Sequence, residues 1–148
     1  MDFPMRHTLV SFISLLTAII LLPVLYISVQ AKWAIIYGLF LFLGWISSIV
    51  LGMTFKTLPF IVWNNRYKQL NGIVKIPLPK QLYSETLLRF QFWLFVAALY
   101  ITALSLFFDN LLTLKAGLLL FMLVALLYNI NVFKILVHKT KSWRSISI

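Results

Sequence analysis

Long uninterrupted apolar runs are the main pattern in this chain. Four stretches contain no Lys, Arg, Asp or Glu, at residues 8–30, 33–55, 90–108 and 116–133. A helix needs about 20 apolar residues to cross the ~30 Å hydrocarbon core of a bilayer, and hydrocarbon offers the backbone no hydrogen-bond partners. Together with adjoining residues that are nearly apolar, the pattern predicts four membrane-spanning helices at about 8–30, 33–58, 86–108 and 112–134.

The segments between the predicted helices are polar and unequal in length. Two are short turns, whereas residues 64–84 contain Asn-Asn, Asn-Gly and two prolines, which are loop signals. Ser84 stands where a serine can cap the third helix. We therefore expect an all-α fold, a four-helix integral membrane bundle that forms one domain over residues 1–148.

The charged residues predict how the bundle is oriented. The chain has 62% hydrophobic and 11% charged residues, whereas a soluble domain carries about 25% charged residues. Only Lys32 and Lys115 lie in the short turns, and most of the other basic residues flank the first and fourth spans or lie in the long loop. The positive-inside rule then places both termini and the loop in the cytoplasm. Because topology accounts for the net charge of +10, nucleic acid is not an expected partner.

The second predicted span carries small residues and then two unusual ones. Gly44, Ser48 and Gly52 follow one another at i+4 spacing, which allows close helix packing. Lys56 is the next i+4 position, so it is expected to continue this packed face and to extend its ammonium to the headgroups. Pro59 is expected to kink the helix near the cytoplasmic boundary. An anchoring role for this pair is one hypothesis, and contact with a proton, a quinone or an anionic ligand is the other.

Few residues here can carry chemistry. There is no cysteine, which excludes disulfides and thiolate sites, and no two of the three acidic residues are close in sequence. His7 and His138 are expected to flank the first and fourth spans on the cytoplasmic side, solvated or interfacial. Two such histidines could hold a b-type haem. No cofactor, metal site or catalytic group is predicted, and a b-type haem or a quinone remains the alternative.

The second span, the loop and the start of the third span resemble a known group of proteins. These are bacterial polytopic membrane proteins related to haem–copper oxidase subunit I or to NnrS. In the proteins of this group that bind metal, histidines precede the Gly-Trp pair, where this chain has Tyr37, Gly38 and Leu39. The resemblance implies a shared scaffold of half length in a bacterial inner membrane, without the metal ligands. The matching residues are Gly44, Trp45, Gly52, Lys56, Pro59, Phe60, Trp63, Pro77, Pro79, Gln91, Phe92 and Trp93.

Three functions are open at this point. The first is a non-catalytic membrane protein that serves as a small subunit or assembly partner of a respiratory or related complex. The second is an electron-transfer protein that holds haem or quinone through His7, His138 and Lys56. The third is a small oligomeric transporter or channel. The expected partners are the lipid bilayer and either other membrane subunits or further copies of the chain.

Overall fold

Four long helices make up most of the protein. The computed structural model describes residues 2–28, 30–68 and 76–137. The helices are α1 (Phe3–Ile27), α2 (Ala31–Tyr67), α3 (Glu85–Phe107) and α4 (Leu111–Leu136), with a 3₁₀ turn at Pro79–Leu82. All four helices are long and apolar enough to cross a membrane. The all-α class and the number of candidate spans are thereby confirmed.

Helix α1 begins five residues before the predicted boundary. Asp2 has extended backbone dihedrals and precedes the helix, and Pro4 lies in its first turn. Proline is tolerated at this position because the N–H groups of a first helical turn have no partner within the helix. His7 therefore lies inside α1, not before it as the sequence predicted.

Helix α2 is continuous over 37 residues, which corresponds to about 55 Å at 1.5 Å per residue. It runs through Pro59 to Tyr67, past the predicted span end at residue 58 and into the predicted loop. The kink expected at Pro59 stays a prediction.

Within α2, Leu39–Ser47 is π-helical, and the Ser47 hydroxyl donates a hydrogen bond to the Phe42 carbonyl at 3.1 Å. Local π-helical turns often accompany functional sites.

The bundle consists of two hairpins, since α1 packs mainly against α2 and α3 mainly against α4. Glycine allows the close approach in each hairpin. Gly44 of α2 faces Ser14 of α1, and Gly117 of α4 faces Thr102 of α3. The contacts between the hairpins are fewer, so the hairpins are the main packing units.

The long connection is held against the ends of three helices. The Trp63 indole donates to the Pro77 carbonyl at 2.7 Å. The Asn131 side chain on α4 accepts from the Ser84 backbone N–H at 2.9 Å and donates to the Ser84 carbonyl at 3.1 Å. The Ser84 hydroxyl accepts from the Leu87 N–H at 3.4 Å, which confirms the predicted cap. A core cluster closes this end of the bundle and consists of Phe55, Val62, Tyr67, Leu82, Leu88 and Ile135.

Candidate functional site

His7 is a fully buried residue at the contact between α1 and α2. Gly52 of α2 provides the space, because a Cβ atom there would lie 2.8 Å from the Pro4 carbonyl oxygen and 2.9 Å from His7 Cβ. One α2 turn earlier, the Ser48 hydroxyl donates to the His7 carbonyl at 2.8 Å. The expectation of a solvated His7 was wrong, because the small residues of α2 bring the first turns of α1 into the core. An interfacial depth for His7 stays a prediction.

The contacts of the His7 ring determine which nitrogen carries its proton. Nδ1 lies 3.4 Å from the Ser48 hydroxyl oxygen. Since that hydroxyl donates its single proton to the His7 carbonyl, Nδ1 of a neutral imidazole donates to the hydroxyl oxygen and Nε2 keeps its lone pair. Nε2 has no hydrogen-bond partner among the described residues. The rings of Phe92 and Phe95 lie edge-on to the imidazole, at centroid distances of 5.0 and 5.5 Å.

An oriented imidazole with a free Nε2 resembles a metal or haem ligand in its hydrogen bonding. The surroundings of His7 are enclosed, however, because Phe92 and Phe95 are also buried and pack on the ring. No group of three or more His, Cys, Asp or Glu side chains suited to a metal ion occurs in residues 2–28, 30–68 and 76–137. His138 lies outside the described residues, so its predicted pairing with His7 stays untested.

Purified protein is expected to show no stoichiometric Soret band, because His7 is fully buried and two buried phenylalanine rings pack on its imidazole. The measurement is a visible absorption spectrum in detergent, before and after addition of haemin. A one-to-one Soret band that is lost in His7→Ala and retained in His138→Ala would contradict this expectation and identify His7 as a ligand.

The predicted packing residues on α2 lie as follows. Gly44, Ser48 and Gly52 are buried and face α1, where a Cβ atom at position 44 would lie 2.7 Å from Ser14 Cβ. Pro59 is also buried.

Lys56, however, is exposed, so it does not continue the packed face. An i+4 step turns an α-helix by about 400°, so successive positions drift by about 40° away from the face.

Lys56 lines an open cavity of about 350 Å³ between α1, α2 and the 3₁₀ turn. No hydrogen-bond or ion-pair partner of its ammonium is present in the described part of the chain. The lining is mostly apolar. It consists of Asp2, Pro4, Met5, Thr8, Gly52, Met53, Phe55, Lys56, Pro59, Pro79, Lys80 and Tyr83.

The other charged groups of this cavity form an ion pair. The Lys80 ammonium lies 3.0 Å from the Asp2 carboxylate. The hydrogen bond and charge of Lys80 lower the pKa of Asp2, and the hydrogen bond and charge of Asp2 raise the pKa of Lys80. Burial raises the pKa of the Tyr83 hydroxyl, and the group is protonated at neutral pH, as is any tyrosine with an ordinary pKa of about 10. Lys56 is thus the uncompensated charge of the lining.

A second cavity of about 350 Å³ is an open groove between α2 and α4, near the middle of both helices. Phe95 of α3 and Phe121 of α4 both line it, with ring centroids 6.0 Å apart. Two small residues, Ser47 and Ala125, lie among larger apolar side chains. We call this cavity the mid-span groove, and its lining is Leu43, Ile46, Ser47, Val50, Leu51, Phe95, Phe121, Val124, Ala125 and Tyr128.

Sequence reasoning missed two buried amides. Asn131 links α4 to Ser84, and Gln91 is fully buried on α3 with neither amide atom bonded to a described residue. Their position in apolar spans was the available signal, because polar side chains in such helices usually face the bundle interior.

Comparison of the chain with models of protein families, with curated proteins and with solved structures found no match.

Proposed function

We propose that the chain is a non-catalytic, multi-pass membrane protein that serves as a small subunit or assembly partner of a larger membrane complex. The observation that supports this proposal is the mid-span groove, an apolar depression of about 350 Å³ in the surface of the bundle. Its position near the middle of α2 and α4 would place it at the depth of the hydrocarbon core. A transmembrane helix of a partner subunit is the occupant that we assign to it.

The shape of the groove favours a helix as its occupant. Helices associate in membranes through van der Waals packing, and small residues let two backbones approach closely. The small residues Ser47 of α2 and Ala125 of α4 both line the groove. The larger apolar side chains of Leu43 and Val50 lie about one helical turn before and after Ser47 on α2. A large apolar side chain of a partner helix could therefore insert between α2 and α4.

The resemblance to the oxidase subunit-I-like and NnrS-like group suggests the kind of complex. On that basis we propose a respiratory or related assembly in a bacterial inner membrane. Gly44, Gly52 and Pro59, which carry part of the resemblance, are buried within the bundle. Packing within the bundle explains why these three residue types occur at these positions, and metal binding is not needed to explain them.

Site-specific photo-crosslinking in intact membranes tests the proposal. A photoreactive amino acid is placed at Ala125, inside the groove, and at Leu119, which is 62% exposed on α4 and does not line the groove. We expect position 125 to give one discrete adduct with a different membrane polypeptide, identified by mass spectrometry, and position 119 to give none. Ser47→Trp, which fills the groove, should abolish that adduct while the protein remains folded.

Two outcomes would contradict the proposal. An adduct with a second copy of the chain would assign the groove to a homo-oligomer. Adducts with lipid alone at both positions would show that lipid, and not a partner helix, occupies the groove.

A further inference from the structure

We propose that the cavity containing Lys56 binds one anionic phospholipid, with the phosphodiester at Lys56 and part of an acyl chain along the apolar wall. This site is separate from the mid-span groove, so it does not rest on the proposed partner helix.

The charge of the lining indicates how many negative charges the ligand carries. Asp2 and Lys80 neutralise each other through their ion pair at 3.0 Å. Lys56 then contributes a single positive charge that no described group compensates. A phosphodiester carries one negative charge and presents oxygen atoms that accept hydrogen bonds from an ammonium, so one such group balances the lining.

The lining of the cavity offers a further donor. Tyr83 lines the cavity, and its hydroxyl keeps its proton at neutral pH because a tyrosine pKa is about 10 or above. The tyrosine ring is positioned by Phe55, with ring centroids 5.7 Å apart. A protonated hydroxyl can donate a hydrogen bond to a phosphate oxygen, which an ionised carboxylate could not do.

The rest of the lining argues for a lipid and against a soluble anion. Met5 of α1 and Met53 of α2 line the cavity, are 61% and 41% exposed, and offer flexible apolar surface. Gly52 and Pro59 complete the α2 wall. Lys56 lies eleven residues before α2 ends at Tyr67. From that position the long side chain of Lys56 can extend its ammonium to the lipid headgroups. A mostly apolar lining that carries one uncompensated cation matches an amphiphile.

Lipid titration of purified protein in detergent tests this assignment. The probes are dioleoyl phosphatidylglycerol, dioleoyl phosphatidylcholine and inorganic phosphate, and native mass spectrometry counts the bound molecules while thermal unfolding reports stabilisation. We expect one phosphatidylglycerol per chain to bind in preference to phosphatidylcholine, and phosphate alone to leave the unfolding temperature unchanged. Lys56→Leu should weaken phosphatidylglycerol binding about fivefold, the contribution expected of one basic residue near an anionic membrane surface.

Two variants control the experiment. Lys56→Arg should retain the binding because it keeps the charge, and Lys134→Leu removes an exposed lysine of α4 that does not line the cavity and should also retain it. Equal binding of the two lipids, stabilisation by phosphate alone, or equal losses in Lys56→Leu and Lys134→Leu would each overturn the assignment. If Lys56→Leu does not fold, Lys56→Gln carries the same comparison, and the wild-type preference between the lipids still tests the proposal.

Discussion

Gly52→Ala is expected to lower the free energy of unfolding by about 1–3 kcal/mol, the usual cost of adding a methyl group to a packed core. The added Cβ atom would lie 2.8 Å from the Pro4 carbonyl oxygen and 2.9 Å from His7 Cβ. Neither atom belongs to the far end of a flexible side chain, so α1 itself must move. That movement would also disturb the hydrogen bond from Ser48 to the His7 carbonyl.

Gly38→Ala is the matched control, because a Cβ atom at position 38 has no atom within 4 Å and both glycines lie in α2. Alanine favours the helix over glycine by about 0.5–1 kcal/mol, so this variant should be neutral or slightly stabilised. The measurement is reversible unfolding of the purified protein in mixed detergent micelles. Equal stabilities of the two variants would show that the α1–α2 contact is looser than described.

Asn131→Leu is expected to cost about 1–3 kcal/mol, the penalty for leaving a buried hydrogen-bonding group without its partner. Asn131 is fully buried and bonds to both backbone groups of Ser84. The Ser84 carbonyl also accepts from the Leu88 N–H at 3.1 Å and so keeps one bond, but its N–H would lose the Asn131 oxygen. The start of α3 would then be held less firmly against α4.

Asn129→Leu provides the comparison within the same helix. Asn129 is exposed and its amide donates only to the Ala125 carbonyl one turn earlier. Leucine at an outward position of an apolar helix should leave the unfolding free energy unchanged or raise it. Hydrogen–deuterium exchange at residues 84–88 should increase in Asn131→Leu and stay at the wild-type level in Asn129→Leu. An increase in both would mean that the effect is not specific to the Ser84 bonds.

Some features of the candidate site were predictable and others were not. The inward face of Gly44, Ser48 and Gly52 follows from the spacing of small residues, because close helix contact needs them on one side. The cap at Ser84 follows from a serine before an apolar run. The burial of His7 did not follow, since Arg6 beside it suggested a flanking segment and nothing in its own neighbourhood identified Gly52 as its neighbour. Lys56 was assigned to the wrong face because an i+4 rule was extended over too many turns.

The sequence by itself determined that this protein forms four long apolar helices joined by polar segments. Hydrocarbon cannot satisfy a backbone N–H or C=O, so apolar runs of this length have one favourable conformation, and that requirement acts on each segment separately. Only the tertiary structure decided that α2 continues through Pro59, that His7 is enclosed by α2 and α3, and that Asn131 holds Ser84. The enclosure of His7 and the bonds of Asn131 to Ser84 depend on residues far apart in the chain, such as His7 and Phe95, and these energies exist only once the helices are in contact.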